Sequence, residues 1–240
     1  MMLSRLWSEV SAVIFTGAFG SGKTEVAISY ALAARRAGAQ VCLMDFDIVT
    51  PYFRVGDYRE ELIGSGLRVV APEGKLASFE LPALSPEIRG AMADKSLHLV
   101  VDVGGDAEGA RLLRGYEDLI RARSREFLIV VNPFRPTTAS PEAIGRQARE
   151  IEAACEMEIT GLVANPNLGP ETQVEEVMQG LAVVRRAAAE LAHPVVMLAI
   201  APPLASEVGS VDVPLLPIVQ AVRLPWQERR AQGSDADRRS

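Results

Sequence analysis

The amino-acid sequence predicts an α/β protein in three layers, with a mostly parallel sheet of seven or eight strands between two layers of helices. Short β-branched and apolar runs alternate along the chain with longer segments of helical composition and periodicity. A glycine-rich turn joins the first such run to the first helical segment. Asp and Asn residues follow several later runs, and folds of this kind bind their ligands beyond the carboxyl ends of the strands.

The predicted strands, in chain order, are residues 12–16, 40–45, 67–71, 97–102, 127–132, 159–164 and 194–199. The predicted helices are residues 23–37, 107–123, 141–154 and 172–191. A chain of 240 residues is long enough for one domain of this type to bury a substantial core. We therefore expect one domain over residues 1–224, followed by a polar, disordered tail over residues 225–240.

The turn after the first strand contains the pattern G-x-x-x-x-G-K-T, formed by Gly17, Gly22, Lys23 and Thr24. A strand before this pattern and a helix after it are the context of a phosphate-binding P-loop. Glycines let successive backbone N–H groups point at phosphate oxygens, Lys23 can reach the β- and γ-phosphates, and the Thr24 hydroxyl can ligate Mg²⁺. The predicted nucleotide contacts here are Gly17, Ala18, Phe19, Gly20, Ser21, Gly22, Lys23, Thr24 and Glu25.

Two carboxylates, Asp45 and Asp47, follow the second predicted strand in the segment M-D-F-D-I. Alternate residues of an extended chain share one face, so both can point at the same ligand. Carboxylates beside a P-loop suit water-bridged Mg²⁺ coordination and the orientation of an attacking water, although Asp is also common at strand ends and in turns. We predict that Asp45 and Asp47 contact the metal and that Asp47 is catalytic.

The fourth predicted strand ends at Asp102 in the segment V-V-D-V-G-G-D, where Gly105 completes D-x-x-G. An aspartate at this position can contact Mg²⁺, and a glycine three residues later can sense the γ-phosphate through its N–H group. The predicted metal ligands are therefore Thr24, Asp45, Asp47 and Asp102, and the predicted catalytic residues are Lys23, Asp47 and Asp102.

Three later strand ends carry N-P-F-R-P, N-P-N-L and A-P-P-L. An Asn side chain has both a donor and an acceptor for the edge of a purine, and proline gives a stiff wall beside the base, although either residue can also serve a turn. We predict base contacts from Asn165 and Pro202.

Composition narrows the classes of partner. The formal net charge of −6 disfavours an extended nucleic-acid surface. No signal peptide, membrane span or C-terminal amphipathic membrane anchor is expected, so the predicted location is the cytoplasm. Two separated cysteines and two histidines give no metal-ligand cluster, and we expect Cys42, Cys155, His98 and His193 to be structural.

The segments G-A-F-G-S-G-K-T, D-F-D and D-V-G-G together resemble the MinD/ParA/CobQ group of SIMIBI-class P-loop ATPases over residues 12–216. The segments D-I-V-T-P-Y-F-R and D-V-G-G-D-A-E-G-A-R are similar to a set of bacterial MinD-like ATP-binding proteins. The resemblance implies ATP and Mg²⁺ as cofactors, Asn165 at adenine, Asp47 near the attacking water, and a possible nucleotide-bound homodimer.

One departure from that family falls at position 18. The MinD and ParA pattern has a lysine directly after its first glycine, and that lysine reaches the partner subunit's nucleotide, whereas this chain has Ala18. Hydrolysis in a dimer would then need another cation, and Arg54 and Arg111 are candidates for it, although an Arg in such a loop is more often solvated or bound to substrate.

Two functions follow from these observations. The first is an ATPase that acts as a nucleotide-dependent switch for an unknown protein partner. The second is a small-molecule enzyme of the dethiobiotin-synthetase or CobQ type, which transfers the γ-phosphoryl group to a bound carboxylate acceptor. In that case Arg54 and Arg59 would bind the acceptor.

Overall fold

The computed structural model describes residues 3–47, 55–71 and 86–219. The predicted roles of Arg54 and the predicted tail over residues 225–240 lie outside these ranges. Within them, the protein is built from strands β1 (Ala12–Thr16), β2 (Val41–Phe46), β3 (Arg68–Val70), β4 (His98–Val103), β5 (Arg125–Val131), β6 (Gly161–Ala164), β7 (Val195–Ile200) and β8 (Leu215–Pro217).

Helices connect these strands. They are α1 (Leu3–Glu9), α2 (Lys23–Arg36), α3 (Arg59–Gly64), α4 (Pro86–Ala93), α5 (Ala107–Arg111), α6 (Glu117–Arg121), α7 (Pro141–Cys155), α8 (Val174–Leu191) and α9 (Pro202–Glu207). Within the described ranges, no helix combines the length and the apolar character needed to cross a membrane.

The strands form one eight-stranded sheet in the order β3-β2-β4-β1-β5-β6-β7-β8. Every strand pair within it is parallel. Each crossover connection therefore carries the chain back along a face of the sheet, which is why helices cover both faces. The prediction of a three-layer α/β/α P-loop fold is confirmed, and the seven predicted strands match β1 to β7 in order.

The structure differs from the prediction in three respects: helices α1, α3, α4 and α9 were not predicted, one predicted helix is interrupted, and one strand is additional. Residues 107–123 form α5, a 3-10 turn over Leu112–Tyr116 and α6 in place of one helix. Gly109 and Gly115 lie within this segment, and glycine disfavours a continuous helix. Strand β8 was not predicted, because a three-residue strand that ends in proline gives almost no periodic signal.

The core has one apolar cluster on each face of the sheet. Side chains alternate along β1, so Ile14 joins one cluster while Val13 and Phe15 join the other. All five residues of β1 are buried, since β4 and β5 flank the strand. The loop after β1 therefore leaves the centre of the sheet at its carboxyl edge.

Candidate functional site: the P-loop and the strand ends around it

The P-loop connects the end of β1 at Thr16 to the start of α2 at Lys23. Gly22 is the N-cap of α2, with a left-handed backbone (φ 83°). A Cβ atom at this position would collide with the side-chain amide of Asn165. Both the backbone conformation and the available space therefore require glycine. The turn places the backbone N–H groups of the first turn of α2 at the positive end of the helix, where anions bind.

Lys23 is paired with Asp47 across the site. Its Nζ lies 2.5 Å from Asp47 Oδ2, and the two side chains are only 8% and 2% exposed. Burial lowers the pKa of the Lys23 ammonium, but the carboxylates of Asp102, Asp47 and Asp45 together raise it above its ordinary value. Lys23 is therefore a buried cation that lies among carboxylates, and its predicted contact with the phosphates stays a prediction.

Asp102 and Thr24 form a second contact beside the first. The Thr24 hydroxyl donates a 2.6 Å hydrogen bond to Asp102 Oδ2. Asp102 is fully buried, and its other carboxylate oxygen, Oδ1, has no hydrogen-bond partner among the described residues. Burial raises the pKa of the Asp102 carboxyl to about 7, although the nearby Lys23 ammonium lowers it.

Asp45 lies at the same level of the sheet as Asp102, because these residues are register partners on β2 and β4. Its carboxylate accepts the backbone N–H of Asp47 at 3.0 Å and that of Gly56 at 3.3 Å. Asp45 thus holds the chain after β2 in place through two hydrogen bonds. This is the alternative that the sequence analysis gave for an aspartate at a strand end. Its predicted role as a metal ligand stays a prediction.

The D-x-x-G segment packs directly beneath the P-loop. The Thr16 hydroxyl donates to the Gly104 carbonyl at 3.2 Å, and a Cβ atom on Gly105 would overlap the backbone of Gly17. A Cβ atom on Gly104 would approach Asp47 Oδ1 to 3.4 Å. Small residues at these two positions therefore let the segment after β4 contact both the P-loop and Asp47.

Two side chains from other strand ends hold the outer rim of the P-loop. Asn165, after β6, donates through Nδ2 to the Ser21 carbonyl at 2.7 Å. Arg135, after β5, donates through Nε to the Gly20 carbonyl at 3.0 Å. Arg135 was not predicted as a site residue, and the only signal was its place in the strand-end segment N-P-F-R-P.

The remaining predicted contacts differ in their surroundings. Ala18 is buried, whereas Phe19 is 76% exposed. The Ser21 hydroxyl is buried and has no hydrogen-bond partner among the described residues. Glu25 lies in the first turn of α2, and burial raises the pKa of its carboxyl. Pro202 is exposed at the start of α9, after a strand that lies three positions from β1 in the sheet.

These residues fit a magnesium-bound nucleoside triphosphate. The described ranges contain no group of three or more His, Cys, Asp or Glu arranged to hold a metal ion by itself. A P-loop metal ion needs no such group, since phosphates and waters supply most of its ligands. Asp102 Oδ1 and the Ser21 hydroxyl are both buried and have no hydrogen-bond partner among the described residues. A ligand bound at the P-loop would supply partners for them.

No protein-family model matches this chain, and no curated protein matches it. Several solved structures, however, match the chain. FtsY from Mycoplasma mycoides is 15% identical with a TM-score of 0.56, and 83% of this chain aligns with 66% of it. FtsY (TM0570) from Thermotoga maritima is 18% identical with a TM-score of 0.56, and 81% of this chain aligns with 63% of it.

A third match is the signal recognition particle 54 kDa protein from Aeropyrum pernix K1, which was solved in complex with GDP. It is 19% identical with a TM-score of 0.53, and 78% of this chain aligns with 41% of it. The chain thus spans between about two fifths and two thirds of the length of these three structures. At these identities the likeness establishes the fold alone, a three-layer α/β/α P-loop NTPase fold.

Proposed function

We propose that this chain binds ATP with Mg²⁺ at the P-loop, hydrolyses it slowly, and acts as a nucleotide-dependent switch of the MinD/ParA type. The observation that carries the proposal is the pair of contacts Lys23–Asp47 and Thr24–Asp102, placed side by side at the N-terminus of α2. A buried ammonium, a buried hydroxyl and two buried carboxylates at a helix N-terminus form an arrangement suited to a polyphosphate and its cation.

Each side chain then has a definite task. Lys23 binds the terminal phosphates, and the backbone N–H groups of residues 20–24 surround them. Thr24 would hold Mg²⁺ through its hydroxyl, which Asp102 Oδ2 keeps in place by accepting its hydrogen bond, and Asp102 Oδ1, which has no hydrogen-bond partner among the described residues, would be free to accept from a water on the metal. When bound, Mg²⁺ neutralises charge on the β- and γ-phosphate oxygens.

The ion pair with Lys23 gives Asp47 a role in the switch. A phosphate that draws Lys23 away would change the contacts of the Asp47 carboxylate, whose Oδ1 lies 3.4 Å from the place that a Cβ atom on Gly104 would occupy in the D-x-x-G segment. Asp47 can then orient a water and accept its proton. Nucleotide binding would in this way change the contacts of the segments after both β2 and β4, which a protein partner or a second copy of the chain could sense.

Asn165 bears on the choice of base. Its Nδ2 group is bonded to the P-loop carbonyl of Ser21, which fixes the orientation of the amide at a strand end where a purine edge would lie. The sequence contains no N-K-x-D guanine motif. We therefore propose ATP as the nucleotide. Because the Aeropyrum protein was solved with GDP, GTP is the nucleotide with which ATP should be compared.

Calorimetric titration with Mg-ATP and with Mg-GTP tests the proposal directly. We expect ATP to bind at least about tenfold more tightly than GTP, a difference of ~1.4 kcal/mol. Tighter binding of GTP would show that the site prefers guanine to adenine. If neither nucleotide binds, the proposed function is wrong.

Phosphate release from the Asp47→Asn variant tests hydrolysis. We expect ATP affinity to change only a few-fold and turnover to fall about 100-fold, because the amide cannot accept a proton. Asp118→Asn, which removes an exposed carboxylate on α6, is the matched control. Unchanged turnover in Asp47→Asn would exclude Asp47 as the base.

A further inference from the structure

A groove of about 790 Å³ lies beside the P-loop on the side of the D-x-x-G segment. Its lining comes mainly from Ala18 and Phe19 of the P-loop, the segment from Gly105 to Arg111, and α7. The lining residues of α7 are spaced three or four apart, so they form a single face of the helix. They include Ala143, Arg146, Gln147, Glu150, Ile151 and Ala154.

The polar groups of the groove are poorly paired. Within the part of the chain that the structure describes, the Arg111 and Arg146 guanidinium groups make no hydrogen bond and no ion pair. The Gln147 Oε1 atom is buried and also has no hydrogen-bond partner there. A buried amide oxygen without a hydrogen-bond donor is unfavourable, so a ligand that brings an N–H or O–H donor to Gln147 is favoured.

The groove suits a small molecule in size and in its apolar parts. Ile151 and Ala154 are buried where they line it, and Ala18 of the P-loop also lines it. Small-molecule sites are commonly about 300–1,000 Å³, mostly apolar, with a few polar groups that fix orientation.

We propose that this groove binds a small carboxylate-bearing molecule, with its carboxylate at Arg111 and Arg146. Guanidinium groups bind carboxylates through paired N–H donors, and neither of these two forms an ion pair with an acid in the described ranges. Of the two acids in the lining, Asp106 already accepts the Gly109 N–H at 2.7 Å as the N-cap of α5. Glu150 is exposed, and it could instead meet an ammonium group on the ligand. A dicarboxylate and an amino acid share the carboxylate that the two arginines would bind, and the amino acid also carries a donor for Gln147 Oε1.

The site also adjoins the residues that would hold the nucleotide. Ala18 belongs to the P-loop, and Gly105 packs against the Gly17 backbone. Carboxylate binding itself needs only the groove, but any coupling to the nucleotide rests on the proposed function. A ligand that contacts both elements would then bind with an affinity that depends on whether nucleotide is present.

Calorimetry on the full chain, with and without Mg-ATP, tests the proposal with glutarate, glutamate and n-butylamine as probes. We expect glutarate or glutamate to bind below about 10 mM and n-butylamine not to bind. Arg111→Gln and Arg146→Gln should each weaken the carboxylate about tenfold, as expected when a charged hydrogen bond is lost. Arg149→Gln is the matched control, because Arg149 lies on α7 but does not line the groove.

The outcomes separate the possibilities. The proposal is wrong if neither carboxylate binds, or if binding survives in the double variant Arg111→Gln/Arg146→Gln. It is also wrong if Mg-ATP makes a dimer that Arg146→Gln disrupts while no carboxylate binds, since the groove is then an interface between two copies. Carboxylate binding without ATP binding would keep the site and remove the proposed function.

Discussion

The two ends of the parallel sheet each bury a charged side chain but pair it differently, although Trp7 Nε1, on the helix before β1, is also buried without a hydrogen-bond partner among the described residues. At the carboxyl end, the Asp102 carboxylate and the Ser21 hydroxyl each have a buried oxygen without a hydrogen-bond partner among the described residues. Three carboxylates lie around the single Lys23 ammonium there and act on its pKa. The carboxyl end therefore has buried oxygens that can still form hydrogen bonds with a ligand.

At the amino end, the buried cation is satisfied by the chain itself. Arg123 is 5% exposed, and its guanidinium donates to the backbone carbonyls of Met92, Asp94, Leu97 and Ser11 at 2.5–3.3 Å. These bonds tie the turn after α6 to the chain between α4 and β4 and to the residue before β1.

The difference indicates which end of the sheet serves a ligand. An unpaired buried polar group costs about 1–3 kcal/mol, and such a cost is expected to persist where a ligand removes it. A fully paired buried group, such as the Arg123 guanidinium, has no hydrogen bond left to offer a ligand, and its bonds stabilise the fold. Substitutions at the carboxyl end should therefore change binding, and substitutions at the amino end should change unfolding.

The largest effect on binding should come from Lys23→Ala. The terminal phosphates lose the only lysine of the P-loop, and we expect ATP affinity to fall by about three orders of magnitude, ~4 kcal/mol. Lys95→Ala is the control, because the Lys95 ammonium donates to the Ala122 carbonyl on the exposed surface. Affinity that calorimetry finds unchanged in Lys23→Ala would remove the P-loop from the nucleotide site.

Arg123→Ala should have the largest effect on stability. Loss of the guanidinium leaves several backbone carbonyls unpaired, and we expect unfolding to become easier by about 3 kcal/mol. In a chain of this size that lowers Tm by about 6–12 °C. Arg123→Lys should restore part of the loss, because an ammonium has fewer donors. If the folded fraction of Arg123→Ala binds ATP less tightly than the wild type, the assignment of separate tasks to the two ends is wrong.

Arg135→Ala should have a smaller effect, and this effect should be on ATP affinity and not on stability. The side chain lies on the rim of the P-loop, where it bonds the Gly20 carbonyl. We expect ATP affinity to fall about fivefold, since one hydrogen bond is worth ~1 kcal/mol. The thermal midpoint should stay close to that of the wild type. Arg125→Ala, at the other end of β5, serves as the control. A fall in Tm without a fall in affinity would make Arg135 a purely structural residue.

Most of the fold could be predicted from the sequence, because a buried parallel strand is a short apolar run that needs no knowledge of its neighbours. The start of α2 at Lys23 follows from the P-loop pattern, whereas the central position of β1 in the sheet was not predicted. The interrupted helical segment from α5 to α6 was missed, since its apolar spacing is helical and only its glycines indicate a break.

The site was predictable where it is local in sequence. Lys23 and Thr24 belong to one motif, and the carboxylates that contact them end the strands β2 and β4, which lie on the same side of β1. Arg135 was not predictable, because 115 residues separate it from Gly20 and only the pairing of β5 with β1 brings them together. The contact of Asn165 with Ser21 likewise depends on topology, at a separation of 144 residues.

The smallest expected effect concerns His98, which lies at the amino end of β4. Its Nδ1 lies 3.0 Å from the Val10 carbonyl, which can only accept, so Nδ1 carries the proton. The Tyr30 hydroxyl, at 3.1 Å, then donates to Nε2. Burial lowers the pKa of the His98 imidazole; the hydrogen bond to the Val10 carbonyl raises it, and the nearby Arg123 lowers it. A second proton would occupy the nitrogen that accepts from Tyr30.

The neutral imidazole is therefore the folded form, and its stabilising contribution is complete above the unfolded pKa of about 6.5 and is lost as the pH falls below it. Urea unfolding at pH 7.5 and 5.5 should show a larger loss of stability in the wild type than in His98→Gln, and the comparison between the two chains cancels the other titrating groups. His193→Gln should behave like the wild type. Equal losses in wild type and His98→Gln would show that His98 does not titrate on unfolding, while a change in ATP affinity would place this end of the sheet within the site.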